Sequence, residues 1–138
     1  VNREPPRRTV LLAGAAGAGV AALSACAKGG GNPARVSSQP AGTELVALAA
    51  VPVGGAKSVT LPGGGPAIVA RPTAATAVCF NAVCTHAGCT VAPHGAELDC
   101  PCHGSVFDAF TGAVRNGPAS QPLQRIPVRV VAGKVVTG

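Results

Sequence analysis

The sequence predicts a small all-β protein, an antiparallel β-sandwich with one irregular insertion, on three observations. Glycine (19) and proline (13) approach a quarter of the 138 residues, which disfavours helices and favours short strands between turns. No stretch carries apolar residues at helical spacing, whereas β-rich runs recur between Gly and Pro clusters. Apolar residues make up 47%, mostly Ala and Val, and Phe80, Phe107 and Phe110 are the only aromatics. The core is therefore small, and the chain's size excludes a large enzyme with a deep substrate pocket.

Taken in order, residues 44–53 read as a strand ended by Gly54 and Gly55, and residues 58–61 as a short strand closed by Pro62 and three glycines. Residues 67–71 and 75–83 are further β-rich runs. Between Cys84 and Gly117 the chain becomes rich in Gly, Pro and Cys and loses regular periodicity, which is the predicted insertion. Strand character returns over 125–131 and, after a turn at Ala132 and Gly133, over 134–137. There is no internal repeat, and the folded domain is expected to span 44–138.

The N-terminal residues read as a processing segment. Residues 1–8 are charged and end in Arg7-Arg8, and no charge follows until Lys28. The uncharged stretch 9–27 is long enough, at roughly 28 Å as a helix, to approach a bilayer core of ~30 Å. Its eight alanines and three glycines make it only weakly hydrophobic, and behind a double arginine it resembles a twin-arginine signal peptide. Leu23-Ser24-Ala25-Cys26 resembles a bacterial lipobox, which implies a signal at 1–25, cleavage before Cys26 and lipidation of its thiol. The alternative is an incidental Cys26 in an ordinary signal or an uncleaved anchor. Polar, Pro-containing sequence without apolar periodicity fills 26–43 and reads as a flexible tether.

The formal charge is +6, but from Cys26 onward eight Lys/Arg face four Asp/Glu. With no basic run and no aromatic platform for bases, nucleic acid is not an expected partner. Six cysteines in so short a chain imply a metal site, disulfides, or both.

Four of the cysteines sit in two loops, Cys84-Thr85-His86-Ala87-Gly88-Cys89 and Cys100-Pro101-Cys102-His103-Gly104-Ser105. A structural zinc site would group the cysteines first and the histidines after, whereas here each loop brings a mixed pair. A disulfide scaffold leaves His86 and His103 unexplained, and a nucleophilic Cys–His pair needs only one of each. A [2Fe–2S] centre with two Cys on one iron and two His on the other draws one of each from both loops. His94 reads as a solvated loop residue, and Cys79, between Val78 and Phe80, as a buried inert thiol.

At these residues the chain resembles the Rieske iron–sulfur family. C-T-H-x-G-C and C-P-C-H-G-S are that family's two cluster-binding boxes, and Gly117-Pro118-Ala119 resembles its proline loop. The resemblance covers 44–138 and implies a Rieske-like β-sandwich carrying one [2Fe–2S] cluster. Cys84 and Cys100 would bind one iron and His86 and His103 the other, with Cys89 and Cys102 joined as a disulfide. Ser105, Phe107, Gly117 and Pro118 would form the surrounding layer.

Two thiolates bring the oxidised centre to zero charge, against −2 with four, so such centres reach roughly −150 to +300 mV, compared with about −400 mV for plant-type ferredoxins. The disulfide resembles that of the higher-potential members, the subunits of cytochrome bc complexes and arsenite oxidases. Phe107 stands where the highest-potential relatives carry a Tyr whose hydroxyl donates to a cluster cysteine. Losing a bond of about 1–1.5 kcal/mol lowers a one-electron potential by roughly 40–65 mV. The expected function is one-electron transfer with redox partner proteins, by an exported carrier held on the outer face of the bacterial cytoplasmic membrane through an N-terminal lipid. The alternative is the Rieske subunit of a quinol–cytochrome c reductase or arsenite oxidase type of complex. No residue could transform an organic substrate unaided.

Overall fold

The computed structural model describes residues 40–138. Eleven strands follow in order: β1 (Glu44–Ala47), β2 (Gly55–Thr60), β3 (Pro66–Arg71), β4 (Val78–Asn81), β5 (Ala92–His94), β6 (Glu97–Asp99), β7 (Val106–Asp108), β8 (Val114–Asn116), β9 (Arg125–Ile126), β10 (Val128–Val131) and β11 (Lys134–Thr137). They form three antiparallel sheets, ordered β1-β11-β10, β2-β3-β4-β9 and β5-β6-β7-β8. The expected all-β fold is what the chain adopts.

The β2–β3–β4–β9 sheet is the middle layer, and this explains the continuous apolar run Ala67-Ile68-Val69-Ala70. Successive side chains on a strand point to opposite faces, and all four of these are fully buried. Ala67 and Val69, with Cys79 and Ile126, pack into a core shared with Val46, Val128, Val130 and Val135 of the β1-β11-β10 sheet. Ile68, Ala70 and Phe80 pack on the opposite side with Leu98 and Phe107 of the β5–β8 sheet. That second core also contains Cys84 and Cys100, so the cysteine loops are seated directly on the middle sheet.

Several boundaries differ from the sequence expectation: the strand expected at 58–61 runs over Gly55–Thr60, and the run 125–131 is divided at Pro127 between two sheets. The run 44–53 stops being strand at Ala47, because Leu48–Ala50 turn as a 3-10 helix. The Arg71 guanidinium donates to the carbonyls of Leu48 and Val51, both at 3.2 Å, and so holds a turn that alternation alone cannot reveal. The run 75–83 pairs as strand only over Val78–Asn81. The insertion 84–117 is less irregular than its composition suggests: it carries all four strands of the third sheet, each three residues long. Strands that short offer too few residues for alternation to register.

A local network fixes the far edge of that sheet. Asp108 accepts from the amides of Phe110 and Thr111, both at 2.8 Å, and pairs with Arg115, which also reaches Glu97. Burial pushes the Asp108 carboxyl up, but Arg115 and the two amides outweigh it and hold the pKa at about 2, against 3.8 ordinarily. A depressed folded-state value means that the stabilisation is complete above about pH 4 and is lost as the pH falls through about 2. Allowing for solvent screening, it contributes about 1 kcal/mol. Asp108→Asn should therefore melt below the parent at neutral pH, with the gap closing between pH 4 and 2. A gap independent of pH would contradict this assignment.

Candidate metal centre

The two loops that hold the predicted ligands are built alike. In the first, which follows β4, the Cys84 amide donates to the Cys89 carbonyl (2.8 Å) and the Gly88 amide returns to the Cys84 carbonyl (2.9 Å). In the second, between β6 and β7, Cys100 donates to Ser105 (2.8 Å) and Gly104 returns to Cys100 (3.1 Å). The same two bonds at the same offsets fold both loops back on their first cysteine. Gly88 and Gly104 both have positive φ, +79° and +71°, which other residues adopt only at a cost.

This construction sorts the donors. Cys84 and Cys100 are free thiols, 2% and 3% exposed. Burial raises the Cys84 pKa, but the amides of His86 and Ala87 and the neighbouring side chains of Cys100 and Ser105 outweigh it and bring it below the ordinary thiol value. His86 and His103 are exposed instead, with ring centroids 4.8 Å apart and planes at 87°. Cys89 and Cys102 are joined by a disulfide with Cα atoms 6.4 Å apart, as the sequence led us to expect.

A third loop closes on both boxes. Gly117 has φ +94°, and a Cβ there would lie 2.5 Å from the Ser105 Cα and 2.8 Å from the Gly104 carbonyl oxygen. The Ala119 amide donates to the buried Ser105 Oγ (3.1 Å), and the Thr85 hydroxyl donates to the Gln121 carbonyl (2.7 Å). Pro118 lies exposed on this loop. The sequence places Thr85 in the first box and Ala119 in the proline loop but assigns neither a contact. Only the Thr inside the first box could have pointed to a hydroxyl contact, and its partner is 36 residues away.

The other candidates are set apart. Cys79 is fully buried in the other core, with its pKa pushed up to about 12 by desolvation against a lowering backbone hydrogen bond from Phe80. His94 is exposed on β5, 3.4 Å from Asp99. Phe107 is fully buried in the core that contains Cys84 and Cys100. Cys26, the signal and residues 26–39 of the expected tether lie outside the described residues. The last four tether residues, 40–43, are instead held to the domain: the Gly42 amide donates to the Thr137 carbonyl, and the Thr43 amide to the Thr137 hydroxyl.

The donor set fits a two-iron cluster. Two free thiols left beside an oxidised cysteine pair, with a separate imidazole pair at the surface, supply two different two-ligand ends. Among the described residues, no three His, Cys, Asp or Glu side chains converge as a single metal ion would require.

Residues 43–127 match the family model described as the Rieske [2Fe-2S] domain. The cytochrome b6-f complex iron-sulfur subunit of Gloeobacter violaceus is 49% identical over 59 residues, covering 41% of this chain and 31% of that protein. That of Synechococcus elongatus is 50% identical over 58 residues, covering 41% and 32%. The chain thus spans about a third of the length of these curated relatives. Among solved structures, the plasma membrane Rieske protein PetC3 of Synechocystis PCC 6803 superposes with a TM-score of 0.53 at 29% identity, over 59% of this chain and 85% of that one. The Sphingomonas yanoikuyae B1 ferredoxin superposes with a TM-score of 0.57 at 26% identity, over 68% and 94%.

Proposed function

Because the chain belongs to the Rieske [2Fe-2S] domain family, we propose that Cys84 and Cys100 hold one iron of its [2Fe–2S] cluster and His86 and His103 the other. The protein is an electron-transfer protein of that family. When bound, the cluster supplies a one-electron couple. The observation that carries the ligand assignment is the sorting of donors: two buried thiols on one side, two exposed imidazoles on the other, and the spare cysteine of each box consumed in the disulfide. The buried thiols would keep water from the sulfur ligands, while the exposed imidazole edges would give a partner close approach. The Ser105 hydroxyl, already accepting from Ala119, keeps its own hydrogen for a sulfur acceptor.

The reading extends to the N-terminal residues. A signal at 1–25, a lipid on Cys26 and a tether to residue 43 would hold the domain 44–138 as an exported carrier on the outer face of the cytoplasmic membrane, passing electrons between redox partner proteins. The support is the order of Arg7-Arg8, a weakly apolar stretch and a cysteine after small residues. Among the described residues no helix is long and apolar enough to cross a membrane. A second reading, a Rieske subunit within a larger oxidoreductase, is favoured by the cytochrome b6-f relatives. Phe107, without the hydroxyl that would raise the potential, weighs against a quinol-oxidising role. Mass spectrometry of the protein extracted from membranes tests the choice. A chain beginning at Cys26 with added acyl mass supports the carrier, and an intact N-terminal segment supports the subunit.

A further inference from the structure

We infer that the Ala119 amide is a positioning group for the cluster: by holding the Ser105 oxygen it turns that hydroxyl's hydrogen toward the sulfur ligands. The seating of the third loop, and not Ser105 alone, then sets how readily the centre is reduced. The inference deepens the ligand reading above and rests on it. Ser105 is fully buried, and its Oγ accepts from the Ala119 amide at 3.1 Å, fourteen residues along the chain. A hydroxyl carries one hydrogen and two lone pairs, so a bond received from Ala119 leaves the hydrogen unspent and fixes the side of the oxygen it leaves from. Among the described residues no nitrogen or oxygen receives that hydrogen, whereas the Cys84 thiol neighbours the same side chain. Sulfur is the acceptor that remains.

The loop is built to keep the amide there. Gly117 lies so close to the second box that a Cβ on it would stand 2.5 Å from the Ser105 Cα and 2.9 Å from the Ser105 nitrogen. Ala119 follows two residues later, and two residues beyond it the Gln121 carbonyl accepts from Thr85 of the first box at 2.7 Å. The amide is thus pressed onto Ser105 from one side and tied down from the other. Without it, a serine hydroxyl in a loop turns toward neighbouring backbone carbonyls, and its hydrogen is lost to the sulfur. A purely structural contact would need only to close the loop. That role leaves unexplained why the residue beneath the loop is a buried serine with a donor to spare. Hydrogen bonds to the sulfur ligands stabilise the more negative, reduced cluster. Losing the orientation should lower the reduction equilibrium constant about three- to tenfold, or roughly 30–60 mV at 59 mV per tenfold.

The test is a double-substitution cycle on the full, cluster-loaded chain. It is read as the midpoint potential and as the coupling of exchangeable protons to the reduced centre by electron–nuclear double resonance. One change replaces the peptide bond between Pro118 and Ala119 by an ester, which removes the Ala119 N–H and leaves every side chain in place. The other is S105A, which keeps the Gly117 contact and the Thr85–Gln121 bond. The ester should lower the reduction constant about three- to tenfold in the parent and less than about 1.5-fold in S105A. It should also weaken the coupling of one exchangeable proton, a coupling that S105A abolishes. An equal fall in both backgrounds would overturn the inference, because the loop would then act by shielding alone. An unchanged potential in the ester chain, or in S105A, would overturn it as well. If the ester chain does not retain its cluster, G117A, which lifts the same loop, takes its place in the cycle with the same outcomes. A parent chain that binds no iron would overturn the ligand reading, and this inference with it.

Discussion

Changing Cys89 and Cys102 together to serine is expected to make the cluster labile while the three-layer sandwich stays folded. Each box is exposed over most of its length, and its internal order rests on two backbone bonds around one glycine. With three aromatics in the chain, a core this small has little area to spare for holding the tips together. The bridge joins residues thirteen apart. A closed loop of that size stabilises by about 3 kcal/mol in the chain-entropy account. Part of that is already secured by the β5–β6 hairpin within the loop, so the remainder acts on the two tips. Visible absorbance in the presence of an iron chelator should decay at least tenfold faster than in the parent, with the far-ultraviolet dichroism unchanged. Equal decay would show that the bridge does not hold the boxes.

Gly117→Ala should be the most damaging single substitution outside the donor set. Its φ of +94° is strained for any side chain, and the new methyl would stand 2.5–2.9 Å from backbone atoms of Gly104 and Ser105, which cannot rotate away. Strain and overlap together cost about 2–4 kcal/mol. The third loop is expected to lift, breaking the Ala119–Ser105 and Thr85–Gln121 bonds. Melting should fall by roughly 10 °C or more, and the Ala119 amide should exchange at the rate of an open loop. A melting point within a degree or two of the parent would mean that the loop is not seated on the second box.

The sequence exposes most of the site and less of its support. The alternating Cys–His order of the two boxes is local in the chain, so the candidate donors stand out before any coordinates, and the resemblance carried by the boxes implied the Cys89–Cys102 bridge that the structure shows. Strand character over 125–131 and 134–137 was legible from alternation and the Gly-containing turn, but not that Pro127 divides the first run between two sheets. What stayed hidden depends on distant partners. Nothing near Leu48 signals the 3-10 turn that Arg71 holds from 23 residues away. Three-residue strands such as Ala92–His94 carry no periodicity, and their pairing is fixed by the sheet they join. The Thr85 and Ala119 contacts depend on where the third loop falls in space, which no spacing encodes.

Metal and sulfide analysis of anaerobically prepared protein, with electron paramagnetic resonance after reduction, decides whether the two boxes hold a cluster through His86 and His103. Two irons and two acid-labile sulfides per chain are expected, as one [2Fe–2S] cluster requires. The reduced protein should give a signal that disappears in His86→Ala and in His103→Ala while the β-sheet dichroism persists. Stoichiometric zinc without iron, or an unaltered signal in both histidine variants, would contradict this assignment.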